Sequence, residues 1–321
     1  MRIVISGANG FVGRAVCALS VGRGHEVIAL VRRPGTSYPG ARECVIGDDN
    51  FAGIAADADE RIGPCDAFIH LAARVHVMDD QAADPLAAFR AVNVDGALNA
   101  ARAASRAGAR RFVFVSSIKA LGETEPGRPW RENDPPAPAD PYGVSKLEAE
   151  VALQALGRSH GIAMTIVRPP LVYGPGVGAN FLALMRALDK GVPLPLGAIP
   201  ARRSVVYVDN LADALLRCAI DSRAADDCFH VADDDPPTVP GLLRMTGAAL
   251  GKRARLFPVP VAALRLAGMV TARRGAIERL TSDLRLDTGR IGDMLGWRPQ
   301  HTTEEGLEAT AMWYRSRDTR R

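Results

Sequence analysis

The first 170 residues alternate short apolar runs with stretches of helical spacing. The runs are almost continuously apolar, which is typical of strands buried on both faces of a parallel sheet. They are RIVIS, HEVIALV, ECVIG, DAFIHL, RFVFVS and AMTIVR. Segments such as PLAAFRAVNVDGALNAARAASRAG separate them with helical periodicity. The pattern predicts an α/β fold built on a doubly wound parallel sheet.

After Arg168 prolines and glycines become frequent, as in RPPLVYGPGVGAN and KGVPLPLGAIPARRS. The run SVVYV and the following DNLADALLRCAI predict a strand and a helix that return to the sheet, and CFHVA is a candidate for one more strand. We therefore predict a Rossmann-type dinucleotide-binding domain over residues 1–169, joined by 204–234. Residues 170–203 and 235–321 would form a smaller C-terminal substrate-binding domain that closes over the strand ends.

The glycines of VISGANGFVG directly follow the first predicted strand and open a helix. Glycine at these positions permits a tight turn and lets backbone N–H groups approach a pyrophosphate at the helix N-terminus. The alternative is a glycine-rich turn that binds nothing. Because the motif opens a βαβ unit, we expect it to bind a dinucleotide through Gly7, Asn9, Gly10, Phe11, Val12 and Gly13.

The end of the second predicted strand bears on which dinucleotide is bound. Enzymes that select NAD usually carry Asp or Glu there, but this chain has Val31, Arg32 and Arg33. Two guanidinium groups could pair with a 2′-phosphate, which favours NADP(H), with NAD(H) possible and solvated arginines as the alternative. Asp48, at a later strand end, is a candidate acceptor for the adenine amino group. The small apolar residues expected to lie against the cofactor are Leu71, Ala72 and Ala73.

The segment DPYGVSKLEAE places Tyr142 and Lys146 four residues apart, on one face of a predicted helix. A nearby ammonium and a positively charged nicotinamide ring would lower the pKa of the phenol towards neutral pH. Ser116 and Ser117 end the fifth predicted strand, on the same rim as the glycine turn. Spacing of this kind also arises by chance, but together with the glycine turn and the serine it favours catalysis.

Composition counts against several other classes of protein. The net charge of +4 is spread over interspersed acids and bases, which does not suggest a nucleic-acid binder. Five scattered cysteines fit a reducing cytosol, and the histidines lack the spacing of metal ligands. The N-terminus does not resemble a signal peptide, so we expect a cytoplasmic protein. The run LFPVPVAALRLAGMV is too short to span a bilayer and is expected to lie in the core or to cover the cleft, with contact at a membrane surface as the alternative.

The motifs together resemble the extended short-chain dehydrogenases/reductases, in particular the nucleotide-sugar epimerase/dehydratase/reductase group. The resemblance covers nearly the whole chain and is carried by GANGFVG, HLAA, NVDG, SS…G, YGVSK, RP…VYGPG, RRSVVYVDNLADA and LGWRP. It implies a catalytic triad of Ser117, Tyr142 and Lys146. It also implies that Asn93 supports the active site and that Pro169 and the Tyr and Lys of the triad adjoin the cofactor.

The resemblance further implies a UDP-sugar substrate. Asn180 and Arg203 match positions that contact its diphosphate, and Arg279 lies in a region that supplies another phosphate or ribose contact. Similar proteins form homodimers through helices that correspond to residues 85–107 and 142–157, so a homodimer is expected here.

Several positions depart from the group's patterns. Sugar-nucleotide 4,6-dehydratases carry an Asp-Glu pair where this chain has Ile118 and Lys119, which counts against dehydration. Many 4-epimerases have an asparagine where this chain has Leu171, which weakens the UDP-galactose epimerase interpretation. The segment IKALGETEPGRPWRENDPPAPAD is polar and rich in proline, so we expect it to lie outside the core and to shape the sugar pocket. Lys119 and Glu123 are candidate substrate contacts, with solvent-facing side chains as the alternative.

All the candidate reactions share hydride transfer at the sugar C4. An exchangeable NADP(H) and the resemblance to bacterial enzymes of surface-polysaccharide synthesis favour the reduction of a UDP-4-keto-6-deoxy-N-acetylhexosamine. The alternative is a UDP-glucose or UDP-GlcNAc 4-epimerase that retains NAD. More remote possibilities are a steroid- or flavonoid-type reductase and a non-catalytic nucleotide sensor.

Overall fold

The computed structural model describes residues 1–48, 50–75, 84–271 and 274–318. Within these ranges the chain forms nine strands, arranged in a seven-stranded sheet and a two-stranded sheet. The strands are β1 (Arg2–Ser6), β2 (Glu26–Val31), β3 (Arg42–Val45), β4 (Ala67–His70), β5 (Arg111–Val115), β6 (Ala163–Arg168), β7 (Leu171–Tyr173), β8 (Val205–Tyr207) and β9 (Cys228–His230).

The larger sheet has the order β3-β2-β1-β4-β5-β6-β9, and all its neighbouring strands pair in parallel. Ile3 of β1 pairs with Val27 on one side and with Ala67 on the other. Its central strands are buried along nearly their whole length, as the continuous apolar runs predicted. The doubly wound α/β fold is confirmed.

Helices cover both faces of this sheet. The α-helices of the described residues are α1 (Phe11–Gly22), α2 (Ala52–Ala56), α3 (Ala58–Arg61), α4 (Pro85–Arg90), α5 (Gly96–Arg106), α6 (Pro141–His160), α7 (Ala179–Asp189), α8 (Val208–Ile220), α9 (Val239–Ala249), α10 (Val261–Val270), α11 (Arg274–Thr281), α12 (Gly289–Leu295) and α13 (Thr303–Asp318). One core joins α1 and α8 to the sheet through Ile5, Val16 and Leu215. A second core on the opposite face joins α5 and α6 through Phe112 and Leu153.

Two predictions about elements were wrong in part. The strand in SVVYV does not join the main sheet: β8 pairs in parallel with β7 in the separate two-stranded sheet, while β9 extends the main sheet. Helix α8 nevertheless packs on the main sheet as expected. The predicted helix over 85–108 is interrupted by a π-helical turn at Ala91–Asp95.

The segment after β5 contains a small core that its polar composition did not predict. Ile118, Leu121 and Trp130 are buried against Leu284 and Leu286. Backbone hydrogen bonds link Trp130 N to Arg285 O and Asp287 N to Trp130 O, so the segment pairs with the chain beyond α11. Its expected absence from any core was therefore wrong, while its role in shaping a pocket stays a prediction.

A third core joins β7, β8, α7, α9 and α13, and the buried Asp233 ties several of these elements together. Its carboxylate accepts hydrogen bonds from the Tyr173 hydroxyl (2.8 Å), the Tyr207 backbone N–H (3.0 Å) and the Asn210 side chain (2.8 Å). The Thr303 hydroxyl at the start of α13 lies 3.4 Å away. Burial raises the pKa of this carboxyl. The division into two domains stays a prediction.

Helix α10 departs from the expectation that its apolar run is buried. Leu264 and Gly268 are buried, but Leu266 and Met269 face solvent. None of the helices in the described ranges combines the length and apolar composition needed to cross a membrane.

Candidate active site

The turn between β1 and α1 is too crowded for side chains at its glycines. Gly7 has a φ of +64°, and a Cβ there would lie 2.9 Å from the backbone nitrogen of Ala72. A Cβ on Gly13 would lie 2.1 Å from the carbonyl oxygen of Gly7. Gly10 caps α1 without a side chain, and the first turn of this fully described helix holds no acidic residue. The free N–H groups at the N-terminus of α1 and the dipole of this helix therefore favour the binding of an anion at the glycine turn.

A cleft of about 630 Å³ adjoins the glycine turn. The predicted cofactor contacts that line it are Gly7, Asn9, Gly10, Phe11, Val12, Gly13, Arg32, Asp48, Leu71, Ala72 and Ala73. Sequence reasoning missed further lining residues, which are Leu30, Ile46, Phe51, Arg74, Val75 and Val92. Leu30 and Ile46 lie near strand ends that the pattern predicted, so they could have been found. The predicted contacts that do not line this cleft are Arg33, Asn93, Pro169, Tyr142 and Lys146.

Asp48 offers an acceptor in the cleft wall. One carboxylate oxygen accepts a hydrogen bond from Gly53 N at 2.9 Å, and the other is buried without a hydrogen-bond partner among the described residues. A buried polar atom without a partner is costly, so an incoming donor such as an adenine amino group would be favoured there. With the glycine cradle, this oxygen makes the cleft fit a dinucleotide.

The loop that follows β2 is held by a single carboxylate. Glu43 of β3 accepts backbone hydrogen bonds from Gly35 (2.8 Å), Thr36 (2.9 Å) and Ser37 (2.7 Å). These bonds, led by the one from Ser37, lower the pKa of Glu43 to about 2. These hydrogen bonds fix the loop that follows Arg33. The Arg33 side chain is exposed, whereas Arg32 lines the cleft.

His70 and Ser6 position the cleft wall, and sequence reasoning assigned neither of them a role. The Ser6 hydroxyl accepts hydrogen bonds from Leu71 N (3.1 Å) and Ala72 N (3.3 Å), so its own proton points to His70 Nδ1, 2.9 Å away. His70 therefore carries its proton on Nε2. Burial, reinforced by Lys146, lowers the pKa of His70 to about 3 and keeps the ring neutral.

The start of α6 packs closely against the segment that follows β5. Asp140 caps the helix by accepting a hydrogen bond from Gly143 N at 2.7 Å, and Pro141 occupies the first turn. A Cβ on Gly143 would lie 2.4 Å from the carbonyl oxygen of Lys119, so only glycine allows this approach. The contact brings the Tyr142 phenol within hydrogen-bonding reach of the Ser117 hydroxyl. Two residues of the predicted triad therefore meet.

Ser117 is oriented to donate to this phenol. Its hydroxyl already accepts a hydrogen bond from the backbone N–H of Lys119 at 3.2 Å. The Ile118 N–H donates to the carbonyl oxygen of Pro169 at 3.0 Å, which ties the segment to the end of β6. The hydrogen bond from Ser117 lowers the pKa of Tyr142, as expected for a donor to the phenolate.

Burial nevertheless raises the pKa of Tyr142 to about 12. Lys146 does not offset this effect, contrary to the expectation that its ammonium would acidify the phenol. The Lys146 Nζ lies 4.2 Å from the centre of the Phe114 ring, and burial lowers the pKa of Lys146 to about 7. The lysine therefore carries only part of its charge at neutral pH, and a further positive charge is needed to make the phenol a base.

Asn93 joins the cleft wall to the helix that carries Tyr142. Its side-chain oxygen accepts from Arg74 N at 2.8 Å, and its amide donates to Arg74 O at 3.1 Å and to Ser145 Oγ at 2.9 Å. The π-helical turn places this residue, which is 1 % exposed, inside the protein. These contacts fit a positioning residue, and its role in supporting the site stays a prediction.

A buried ion pair lies one helical turn beyond Lys146. Arg168 at the end of β6 donates to both carboxylate oxygens of Glu150, at 2.9 and 2.5 Å, and to the carbonyl oxygen of Glu132 at 2.9 Å. The bidentate geometry satisfies both charges in a buried position. Glu150 also raises the pKa of Lys146, although less than burial lowers it.

Three of the predicted substrate contacts, Lys119, Glu123 and Arg279, belong to one ion-pair network. Lys119 Nζ lies 2.5 Å from Asp140 and 2.7 Å from Glu123, and Arg279 lies 3.4 Å from the other oxygen of Glu123. Arg203 donates to the carbonyl oxygen of Arg279. The interpretation of Lys119 and Glu123 as purely solvent-facing side chains was therefore wrong.

Asn180, another predicted contact, is exposed at the start of α7 and is not part of this network. The preceding Ala179 has a φ of +47°, in the left-handed region that favours glycine. The contacts of Asn180 and of the residues around Glu123 with a substrate stay predictions.

Comparison with known proteins places this geometry in a family. The family described as NAD dependent epimerase/dehydratase matches residues 3–231, which include the glycine turn, Ser117, Tyr142 and Lys146. The chain belongs to this NAD dependent epimerase/dehydratase family. The resemblance to the extended nucleotide-sugar epimerase/dehydratase group is thereby confirmed, as is the prediction that the protein is an enzyme of an NAD-dependent class.

Individual members of the family are similar over nearly the whole chain. A Vibrio cholerae protein named UDP-glucose 4-epimerase is 38 % identical over 96 % of this chain and 94 % of its own length. The UDP-glucose 4-epimerase of Thermotoga maritima, solved with UDP-glucose, superimposes with a TM-score of 0.79 at 23 % identity over 99 % of both chains. The Thermus thermophilus UDP-glucose 4-epimerase in complex with NAD gives 0.78 at 24 % identity, over 98 % of this chain and 99 % of that one. At these identities the structural likeness shows the fold.

Proposed function

We propose that this protein is a UDP-hexose 4-epimerase that inverts the hydroxyl at the sugar C4 through a 4-keto intermediate. The side-chain contact between Ser117 and Tyr142, on a helix that Asn93 links to the wall of a cleft that fits a dinucleotide, is the observation that carries the proposal. The relative that is 38 % identical over nearly its whole length is named UDP-glucose 4-epimerase, which favours epimerisation over the reduction that sequence motifs alone favoured.

A bound oxidised dinucleotide would contribute a positive charge next to the phenol and would accept and return the C4 hydride. Tyr142 removes the proton from the C4 hydroxyl as the carbonyl forms and returns it to that oxygen when the alcohol is restored. Ser117 donates a hydrogen bond to the same oxygen in both directions. Lys146, which does not lower the pKa of Tyr142 in this structure, would stabilise the phenolate only together with the positive charge of a bound dinucleotide.

Substrate phosphates would be held by Arg279 and Arg203. Arg279 pairs with Glu123, and Arg203 donates to the carbonyl oxygen of Arg279. A diphosphate would compete with Glu123 for Arg279, since both are anions. The two neighbouring arginines support a UDP-sugar as the substrate, and apolar steroid- or flavonoid-type substrates lack the matching charge.

A second candidate is the NADPH-dependent reduction of a UDP-4-keto-6-deoxy-N-acetylhexosamine for surface-polysaccharide synthesis. Arg32 favours it because this guanidinium lines the dinucleotide cleft at the strand end where NAD-selective enzymes carry a carboxylate. The preference for NADP(H) over NAD(H) belongs to this proposal.

One set of assays separates the two candidates. Purified protein is incubated with UDP-glucose or UDP-GlcNAc without added cofactor, and the sugar products are followed by NMR. In parallel, a UDP-4-keto-6-deoxy-N-acetylhexosamine is mixed with NADH or NADPH and the absorbance of the reduced cofactor is recorded. Epimerisation that Tyr142→Phe abolishes supports the first candidate, and consumption of NADPH without epimerisation supports the second. Activity in neither assay would overturn both.

A further inference from the structure

Most residues of helix α10 are exposed, and nearly all of the exposed ones are apolar. Leu264 (7 % exposed) and Gly268 face the protein, where a Cβ on Gly268 would lie 2.9 Å from the Ile277 side chain of α11. Leu266 is 64 % and Met269 59 % exposed. The other exposed residues of this helix are Ala262, Ala263, Arg265 and Ala267. Arg265 is therefore the one charged side chain on an otherwise apolar surface, the reverse of an ordinary surface helix.

The segment before α10 exposes an aromatic side chain. Phe257 is 45 % exposed, although its backbone is fixed by hydrogen bonds from Phe257 N to Leu194 O and from Gly197 N to Phe257 O, both 3.1 Å long. A Cβ on Gly197 would lie 3.0 Å from Phe257 O, so the two segments pack closely. The ring is thus presented to solvent by an ordered strand-like segment.

The chain around α10 is rich in basic residues. Residues 251–277 contain six Lys and Arg and no Asp or Glu, whereas the rest of the chain has 34 basic and 36 acidic residues. The net positive charge of the protein therefore comes from this segment, contrary to the expectation of evenly interspersed charges. Arg253, Arg265 and Arg274 are exposed, and Arg273 lies outside the described residues.

We propose that this apolar–basic face, formed by Phe257, Leu266, Met269, Arg253, Arg265 and Arg274, docks on an anionic phospholipid surface. The ten residues of α10 are too few to span a bilayer, but an apolar face of this length flanked by Arg can lie at the headgroup boundary. Lipid phosphates complement the arginines while the apolar side chains insert between headgroups.

Other occupants match the face less well. Two copies of the chain that paired through it would oppose two positively charged segments without an acid between residues 251 and 277. A nucleic acid would match the charge, but its phosphate backbone gives no partner to Leu266 and Met269. An anionic bilayer satisfies both the charge and the apolar surface.

The test is flotation of the purified full chain with vesicles. Vesicles of equal parts phosphatidylglycerol and phosphatidylcholine are compared with vesicles of phosphatidylcholine alone, at low and at high salt. We expect binding to the anionic vesicles only, and weaker binding at high salt. Leu266→Glu should lower the partition coefficient by roughly tenfold, because it removes an inserted side chain and adds a repelled charge. Arg265→Gln should lower it by roughly fivefold.

Met312→Glu provides the matched control, because Met312 is an equally exposed methionine (60 %) on α13, outside this face. Circular dichroism and UDP binding check that each variant is folded. Failure to float with anionic vesicles at low salt would overturn the proposal, as would equal losses for Leu266→Glu and Met312→Glu. It would also be overturned if light scattering showed a dimer that Leu266→Glu dissociates while vesicle binding is unchanged. None of these outcomes depends on which sugar reaction the enzyme catalyses.

Discussion

Replacing Lys146 by methionine should stabilise the protein while abolishing its activity. Lys146 is 1 % exposed, and burial lowers its pKa from 10.5 to about 7, against a smaller opposing effect of Glu150. This fall in pKa corresponds to a cost of as much as about 5 kcal/mol for keeping the ammonium in the folded protein. Methionine fills a similar volume without a charge, so the variant avoids this cost.

The size of this stabilisation depends on pH. Below the folded pKa of about 7, the lysine is protonated in both the folded and the unfolded chain, so the full cost is present. As pH rises from about 7 towards 10.5, only the unfolded chain still binds the proton, and the wild type gains stability. The free energy of unfolding of Lys146→Met should therefore exceed that of the wild type most at acidic pH, and the difference should shrink as pH rises.

Urea unfolding of the wild type and Lys146→Met over a pH series between about 6 and 10 measures this difference directly. Lys190→Met serves as the control, because Lys190 is an exposed lysine at the end of α7. A difference between wild type and Lys146→Met that does not change with pH would refute the assignment of a buried, destabilised ammonium. A lower stability of Lys146→Met at every pH would do the same.

Three further substitutions test other parts of the site. Gly13→Ala should abolish dinucleotide binding in calorimetry, because its Cβ would lie 2.1 Å from Gly7 O, and unchanged affinity would show that the turn can adjust. Glu150→Gln should lower the free energy of unfolding by about 3–5 kcal/mol in urea titrations, since it breaks a buried ion pair, and a loss below about 1 kcal/mol would contradict this. Tyr142→Phe should lower kcat between about a hundredfold and ten-thousandfold with dinucleotide affinity retained, and substantial remaining turnover would remove the phenol from the mechanism.

The apolar runs predicted the parallel sheet because strands buried on both faces leave a continuous signal in the sequence. The segment AMTIVR corresponds exactly to β6, and RIVIS to β1. The pairing of β8 was not predictable in this way, because a three-residue apolar strand carries no information about its partner. The apolar composition of α10 indicated a place in the core or over the cleft, with a membrane surface as the alternative. Composition does not show which side chains of a helix are covered, and Leu266 is exposed.

Some residues of the candidate site could be predicted from local motifs, and others depend on contacts between distant parts of the chain. Local motifs indicated Gly7, Ser117 and Tyr142, because each acts through its position at a strand end or a helix start. The pairing of Glu123 with Arg279 links residues 156 positions apart, and no local pattern could have predicted it. The neutral state of His70 and the lowered pKa of Lys146 likewise depend on burial, which only the packed structure defines.

The carboxylate of Asp233 has a consequence for how the protein melts. It lies just beyond β9 of the main sheet, yet it holds Tyr173 and Tyr207 of the small sheet and approaches Thr303 at the beginning of the last helix. Opening the small sheet and the last helix alone would leave this buried acceptor without its donors, so partial unfolding is disfavoured. The chain should therefore unfold in a single calorimetric transition, and a fragment that ends before α13 should be recovered mainly as an aggregate.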